Sequence, residues 1–293
     1  MSAPGPIRRA TPGTTEPAVA RYALIAIALL FLALFLVLPL VVIFYEALAK
    51  GFKAYLEVLR SPELGTAVRT TLICVGIAVP LNVVFGLAAA WCITKFRFPG
   101  RSVLVTLIEL PFSVSPVIAG LALVLIFGAE GWGGSWFVDH APVIFSMPGM
   151  VLATVFITFP FVARELIPLM EAQGTEEEQA ARVLGAGGWQ TFFRVTLPNV
   201  KWALLYGVLL CTARALGEFG AVAVVAGGQV GQATLPLYVE QLYHERTNPQ
   251  PALAAASLLA FTGIITLLAK TWLGRERGKV EKLTPDGDPA RAP

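Results

Sequence analysis

Charged side chains are scarce in this sequence of 293 residues: 14% are Asp, Glu, Lys or Arg, against 56% hydrophobic. A soluble domain carries about 25% charged residues. A chain this short of polar groups cannot cover its surface in water, which places it among integral membrane proteins. The net charge is only +3. No Lys/Arg-rich block or interleaved aromatic and basic surface occurs, so nucleic acid is excluded as a partner. Cysteine and histidine are also rare. Cys74, Cys92 and Cys211 lie in or at the ends of apolar runs and form no CxxC pair, which argues against a disulfide framework or a zinc site. His140 and His244 fall far apart in expected loops, and a metal or His-based catalytic centre needs several convergent ligands. No repeat of 20–50 residues is present. The nearest thing to a nucleotide loop, Gly274 to Val280, has one residue too few between its glycines and Val280 where magnesium needs a hydroxyl. It reads as positive charge beside a membrane, and ATP is not bound by this chain.

What the sequence has in quantity is apolar runs. A spanning helix needs about 20 mostly apolar residues. Six candidates qualify: Tyr22–Tyr45, Ala67–Thr94, Val103–Phe127, Val143–Leu169, Trp202–Ala226 and Ala252–Leu273. Strict period-2 alternation is absent, which argues against a transmembrane barrel. Ala47-Leu48-Ala49 resembles a signal-cleavage site, but the run before it exceeds the usual 7–15 residues of a signal core, so it reads as a retained helix. The expectation is an all-α membrane protein of six transmembrane helices. Basic residues orient it. Fifteen fall on the side of both termini, among them Arg8, Lys95, Arg101, Arg182, Arg194 and Lys270; five, Lys50, Lys53, Arg60, Arg69 and Arg246, fall on the other. Both termini are therefore expected in the cytoplasm. Residues 1–20 and 276–293, rich in Pro, Gly, Thr and charge, are expected as disordered tails around a transmembrane domain over 21–275.

One cytoplasmic connection, about 171–200, is unlike the rest. Thr175 followed by Glu178 matches a capping box, and Glu176, Glu177 and Glu178 suit the positive end of a helix dipole. Ala180, Val183 and Leu184 then share one helical face. Gly185 supplies a left-handed stop, and Gly187 and Gly188 allow a sharp turn. A second short helix is expected from Trp189, with Trp189, Phe192 and Phe193 on one face and Pro198 ending it. Two readings stand: an amphipathic connector on the membrane surface, or a knob for the groove of a cytoplasmic partner.

Ionisable residues inside apolar spans are costly and must face protein or water. Arg214 and Glu218 are four apart on one helical face; they read as a neutralised packing pair, or as a guanidinium that offsets the charge of a passing anion. Arg164 and Glu165 read as an interfacial element placing the connection at 171–200. Glu109 is expected to pack against a donor on a neighbouring helix. The third span is interrupted by Pro111, Ser113, Ser115, Pro116 and Gly120. Broken helices are tolerated where they line a cavity, so Ser113 and Ser115 are pathway candidates, with a kinked packing helix as the alternative. Gly217, Gly220, Gly227 and Gly228 allow close helix approach, and Gly217 and Gly220 read as packing at a subunit interface or gate.

The connection resembles the EAA loop of ABC-importer permeases, whose pattern is Glu-Ala-Ala, three residues, Gly, nine residues, Ile-x-Leu-Pro. Here Gln179-Ala180-Ala181, Gly185 and Val195-Thr196-Leu197-Pro198 stand at those distances, with Gln179 in place of Glu and Val195 in place of Ile. The stretches at 110–128, 156–170 and 213–228 are similar to bacterial sulfate/thiosulfate importer permeases, most closely their W-type subunits. The resemblance implies the type I ABC-importer permease fold in the bacterial inner membrane. It implies a loop whose Gln179, Ala180, Ala181, Gly185, Trp189, Leu197 and Pro198 dock on an ATPase subunit. It also implies a heterodimer with a second permease, two ATPase subunits that hold ATP and magnesium, and a periplasmic sulfate/thiosulfate-binding protein. Molybdate is the rival cargo. An ion-coupled secondary transporter using Glu109 and Glu218 is a different class, which leaves the structured loop without a task. An intramembrane enzyme lacks a catalytic constellation.

Overall fold

The computed structural model describes residues 18–227, 233–245 and 248–283, and among them every regular element is a helix. Five helices are long and apolar enough to cross a bilayer: Val19–Leu48, Pro62–Lys95, Met147–Gln173, Gly188–Leu216 and Gln250–Gly274. A bent pair, Arg101–Ser113 and Pro116–Phe127, is long and apolar enough for a sixth when its halves are taken together as one broken span. A helix is the economical answer for such runs, because it satisfies every backbone N–H and C=O within the segment.

The third span is not the single rod expected over Val103–Phe127. Its halves meet at 110°, and Val114 and Ser115 between them are extended. Proline drives this. Ser115 precedes Pro116 and is pushed out of the helical region, and Pro111 brings no N–H to the turn before it.

The fifth span is also displaced from the expected Trp202–Ala226. It begins at Gly188 and runs through Pro198 to Leu216, so Pro198 does not end a helix. A π-helical turn, Phe192–Thr196, precedes it, and the Leu197 N–H bonds the Phe192 carbonyl five residues back. The first span repeats the device: Ala33–Val37 is π-helical, the Leu38 N–H bonds the Ala33 carbonyl, and Pro39 follows. The wider turn moves the preceding carbonyl away from the proline ring that would strike it in a regular helix. The fifth span then stops at Gly217, and Gly220–Ala226 forms a separate short helix packed against Pro116–Phe127. The two approach closely: a Cβ on Gly120 would lie 2.8 Å from the Ala221 carbonyl oxygen, and one on Gly220 would lie 3.0 Å from Pro116 Cβ. Within this chain Gly217 has only the Ala213 carbonyl near it, at 3.9 Å. Gly120 takes the tighter role. Gly227 adopts φ +60 under the Phe145 ring, and Gly228 lies outside the described residues.

The core sits where the second, fourth and fifth spans meet. Val79, Val162, Leu166, Met170, Val200 and Ala203 are buried there, and Gly86 lets the second span close on Val162, whose Cβ would be 2.7 Å from an added methyl. A polar knot crosses the same core. Asn82 Nδ2 donates to Thr158 Oγ1 at 2.7 Å and approaches Cys211 Sγ at 3.7 Å. Such bonds tie helices together where lipid offers no hydrophobic drive. The last span packs on Leu38–Leu48, while the first half of the opening helix is exposed along its apolar length. A further helix, Leu235–Glu245, starts where Thr71 Oγ1 accepts the Leu235 N–H at 2.7 Å. The closing helix continues to Leu283, eight residues into the stretch expected as a tail, and the opening helix begins at Ala18. The rest of both expected tails lies outside the described residues.

Candidate functional site

The connection between the fourth and fifth spans folds as the short helix Glu176–Val183, a glycine turn, and the start of the fifth span. Gly185 is left-handed at φ +88. Its N–H bonds the Arg182 carbonyl at 2.9 Å and the Ala186 N–H bonds the Ala181 carbonyl at 3.0 Å. That is the paired closure of a Schellman stop, which an L side chain at Gly185 would strain. The next turn is locked by Gln190 Oε1, which accepts the Gly187 N–H at 3.1 Å.

The expected capping box does not form. Thr175 makes no cap bond; its hydroxyl oxygen accepts from Gln179 Nε2 at 2.9 Å. Glu178 instead turns inward, 2.9 Å from Lys95 Nζ at the end of the second span, with side-chain exposures of 14% and 9%. The Thr196 hydroxyl donates to Glu178 at 2.7 Å. Lys95 also donates to the Gly174 carbonyl at 2.5 Å, and Asn199 Nδ2 donates to Glu177. A shielded ion pair with one further donor on the same carboxylate outweighs one exposed cap bond. The polar side of the short helix is thus tied to the second and fifth spans. Its apolar end is left uncovered: Val183 and the C-cap Leu184 are each 87% exposed, and past the glycine turn Trp189 is 74% and Phe193 57% exposed. Trp189 and Phe193 stack with centroids 5.9 Å apart. Phe192, expected on the same face, is buried against Trp91 at 5.0 Å. Gln179 and Ala180 are exposed, Ala181 and Leu197 half-buried, and Pro198 exposed within its helix.

Inside the spans, Arg214 Nη1 lies 2.5 Å from Glu218 Oε2. The pair lacks the alignment of a directed hydrogen bond and is an ion contact. Glu218 Oε1 accepts the Ala221 N–H at 3.0 Å, so this buried carboxylate also holds the first turn of Gly220–Ala226, where negative charge is favoured. Arg164 does not place the loop. Its guanidinium stacks on Phe112 of the third span, 5.1 Å from the ring centroid. Glu109 does not pack against a donor either; it is exposed in a cleft lined by Thr106, Glu109, Leu110, Phe112, Ser113 and Arg164. Ser113 lies in that cleft and donates to the Leu110 carbonyl at 2.9 Å. Ser115, Arg214 and Glu218 lie outside its lining. Ser115 is exposed at the break and makes no cap bond. Among the described residues no group of three His, Cys, Asp or Glu could hold a metal.

Residues 82–279 match the family model described as the binding-protein-dependent transport system inner membrane component. The chain belongs to this family. The sulfate transport system permease protein CysW of Synechocystis sp. is 50% identical over 260 residues, 88% of this chain and 94% of the relative. The Escherichia coli K12 protein of that name is 49% identical, over 86% and 87% of the two chains. The sulfate transport system permease protein CysT of the same organism is 36% identical, over 90% and 95%. A solved bacterial alginate ABC transporter, in complex with an alginate-bound periplasmic protein, superposes with TM-score 0.72 at 17% identity, over 89% of this chain and 95% of that one. Its fold, that of a type I ABC-importer permease, is the fold of this chain.

Sequence reasoning placed the inner membrane component's loop and missed what anchors it. Lys95 counted only towards orientation, Thr196 only as a place in the Val195-Thr196-Leu197-Pro198 match, and Asn199 not at all. Their signal was present: an unpaired lysine ending one span, and polar residues beside Leu-Pro opening another. Trp91 and Phe112 were hidden among apolar neighbours, since only tertiary contact distinguishes a ring that holds Phe192 or Arg164 from one that meets lipid.

Proposed function

We propose that this chain is a transmembrane permease subunit of an ATP-driven ABC importer that moves sulfate, and thiosulfate as a second substrate, across the bacterial inner membrane. One observation carries the docking part. The Glu176–Val183 helix ties its charged side to the bundle and turns Val183 and Leu184 outward. A helix resting on lipid would do the reverse, so this arrangement calls for a protein groove. A cytoplasmic ATPase subunit, which holds ATP and magnesium, fills that role. Two such subunits, a second permease and a periplasmic binding protein complete the importer, and both termini lie in the cytoplasm. Selectivity comes from the binding protein. ATP closure moves the loop through Gly185 and Trp189, and the tethers Lys95–Glu178 and Thr196–Glu178 carry that movement into the second and fifth spans. No covalent chemistry occurs on this chain. The cargo follows from the names of the relatives above.

The test is uptake of radiolabelled sulfate in cells with and without the gene, with unlabelled thiosulfate and molybdate as competitors. Loss of uptake on deletion, with competition by thiosulfate and not molybdate, is expected. Unchanged sulfate uptake in cells lacking a second sulfate system overturns the cargo; competition by molybdate would reassign it.

A further inference from the structure

We propose that Arg164 is the anion-holding group of an inner vestibule, and that the cleft between the third and fourth spans is a transit subsite for a tetrahedral oxyanion. This rests on the importer reading above and adds a residue to it.

Depth comes first. Arg101 opens the third span and Glu171 lies near the end of the fourth, and the two pair at 2.6 Å. The two ends therefore share a level. Arg164 is seven residues before Glu171 and Glu109 eight after Arg101, which at about 1.5 Å per residue puts both roughly 10–12 Å inside that level. A guanidinium at that depth is costly against lipid, so it must face water or protein. Arg164 is exposed in this chain, and among the described residues it pairs with no carboxylate within 4.0 Å, whereas Arg214 is committed to Glu218.

The cleft beside it has a volume of about 490 Å³. At roughly 30 Å³ per water, that accommodates one oxyanion with several waters. The remaining polar groups decide which atom binds. The Thr106 hydroxyl donates to the Ser102 carbonyl at 3.0 Å, and the Ser113 hydroxyl to the Leu110 carbonyl at 2.9 Å. Each gives its single proton to its own helix. Arg164 is left as the donor. Stacking on Phe112 at 5.1 Å holds the guanidinium plane while its N–H edge stays free for a forked contact with two oxygens. Glu109 in the same cleft brings the empty site near neutrality, which keeps binding weak enough for the anion to leave.

The test uses the assembled importer with its binding protein in proteoliposomes. Uptake of labelled sulfate, thiosulfate and molybdate is measured beside ATP hydrolysis and assembled yield for wild type, Arg164→Gln and Arg164→Lys. Arg164→Gln should lower uptake by about tenfold or more, the loss of one charge-assisted contact, with ATP hydrolysis within about twofold of wild type. Arg164→Lys should recover part of the uptake, because it keeps the charge and loses the fork. Uptake by Arg164→Gln equal to wild type overturns the subsite. So does a parallel fall of yield, hydrolysis and uptake in both variants, which marks a structural residue. Transport of molybdate alone by wild type overturns the sulfate cargo while the Arg164 comparison is read on molybdate. Transport of none of the three overturns both.

Discussion

Replacing Leu184 by serine separates docking from folding. The side chain is 87% exposed, so within this chain it contributes almost nothing, and an exposed substitution of this kind changes stability by no more than about 0.5 kcal/mol. Schellman closure beside it runs through backbone atoms of Ala181, Arg182, Gly185 and Ala186 and survives the change. In a groove the same exposure becomes burial. Covering a leucine contributes about 1.5–3 kcal/mol, which at about 1.4 kcal/mol per decade weakens ATPase association roughly ten- to a hundredfold. The assay is co-purification of the ATPase with tagged permease from membranes at graded detergent dilution, alongside the amount of permease inserted. Normal insertion with a shifted association curve is the expected result. Association within threefold of wild type at normal insertion refutes the outward face as a docking surface, and loss of insertion refutes the claim that Leu184 does nothing in the isolated fold.

Other perturbations follow from the contacts. Glu178→Gln removes the charge opposite Lys95 and should cost about 1–3 kcal/mol, read as a lower unfolding temperature of the solubilised complex. Gln179→Ala, at an exposed position, should leave that temperature unchanged. Gly185→Asp places a Cβ at φ +88 and should reduce ATPase association while membrane insertion stays intact; Trp189→Ala should do the same through loss of an exposed ring. Gly120→Ala drives a methyl towards the Ala221 carbonyl, for about 1–3 kcal/mol of overpacking, and folded yield in detergent should fall. Arg214→Ala leaves the buried Glu218 uncompensated and should lower assembled protein, since an orphaned buried charge costs several kcal/mol; normal assembly with lost uptake would assign Arg214 to the pathway instead.

Much of the loop between the fourth and fifth spans was legible because its signals are local. Gly185 is a stop whether or not anything surrounds it, and three acids at a helix start need no partner to be favourable. The choice between Thr175 and Lys95 as the mate of Glu178 was not legible. A capping box is a match of two residues three apart, while Lys95 lies far away in sequence and competes only once the second and fourth spans pack. The third and fifth spans show the same division. Prolines announced an interruption, but a proline can break a helix, as at Pro116, or be absorbed by a π turn, as at Pro198, and the difference lies in the backbone around it.

By itself the sequence determined that this chain lives in a membrane, that it carries five or six apolar stretches long enough to cross it, and that Gly185 ends a helix, because hydropathy and turn chemistry act over a few neighbouring residues. Only the tertiary structure decided which charges pair, which aromatic rings hold Phe192 and Arg164, and which face of the loop is left uncovered. Those depend on contacts between distant segments, where a shielded ion pair or a backbone met at 3 Å overrides any local preference.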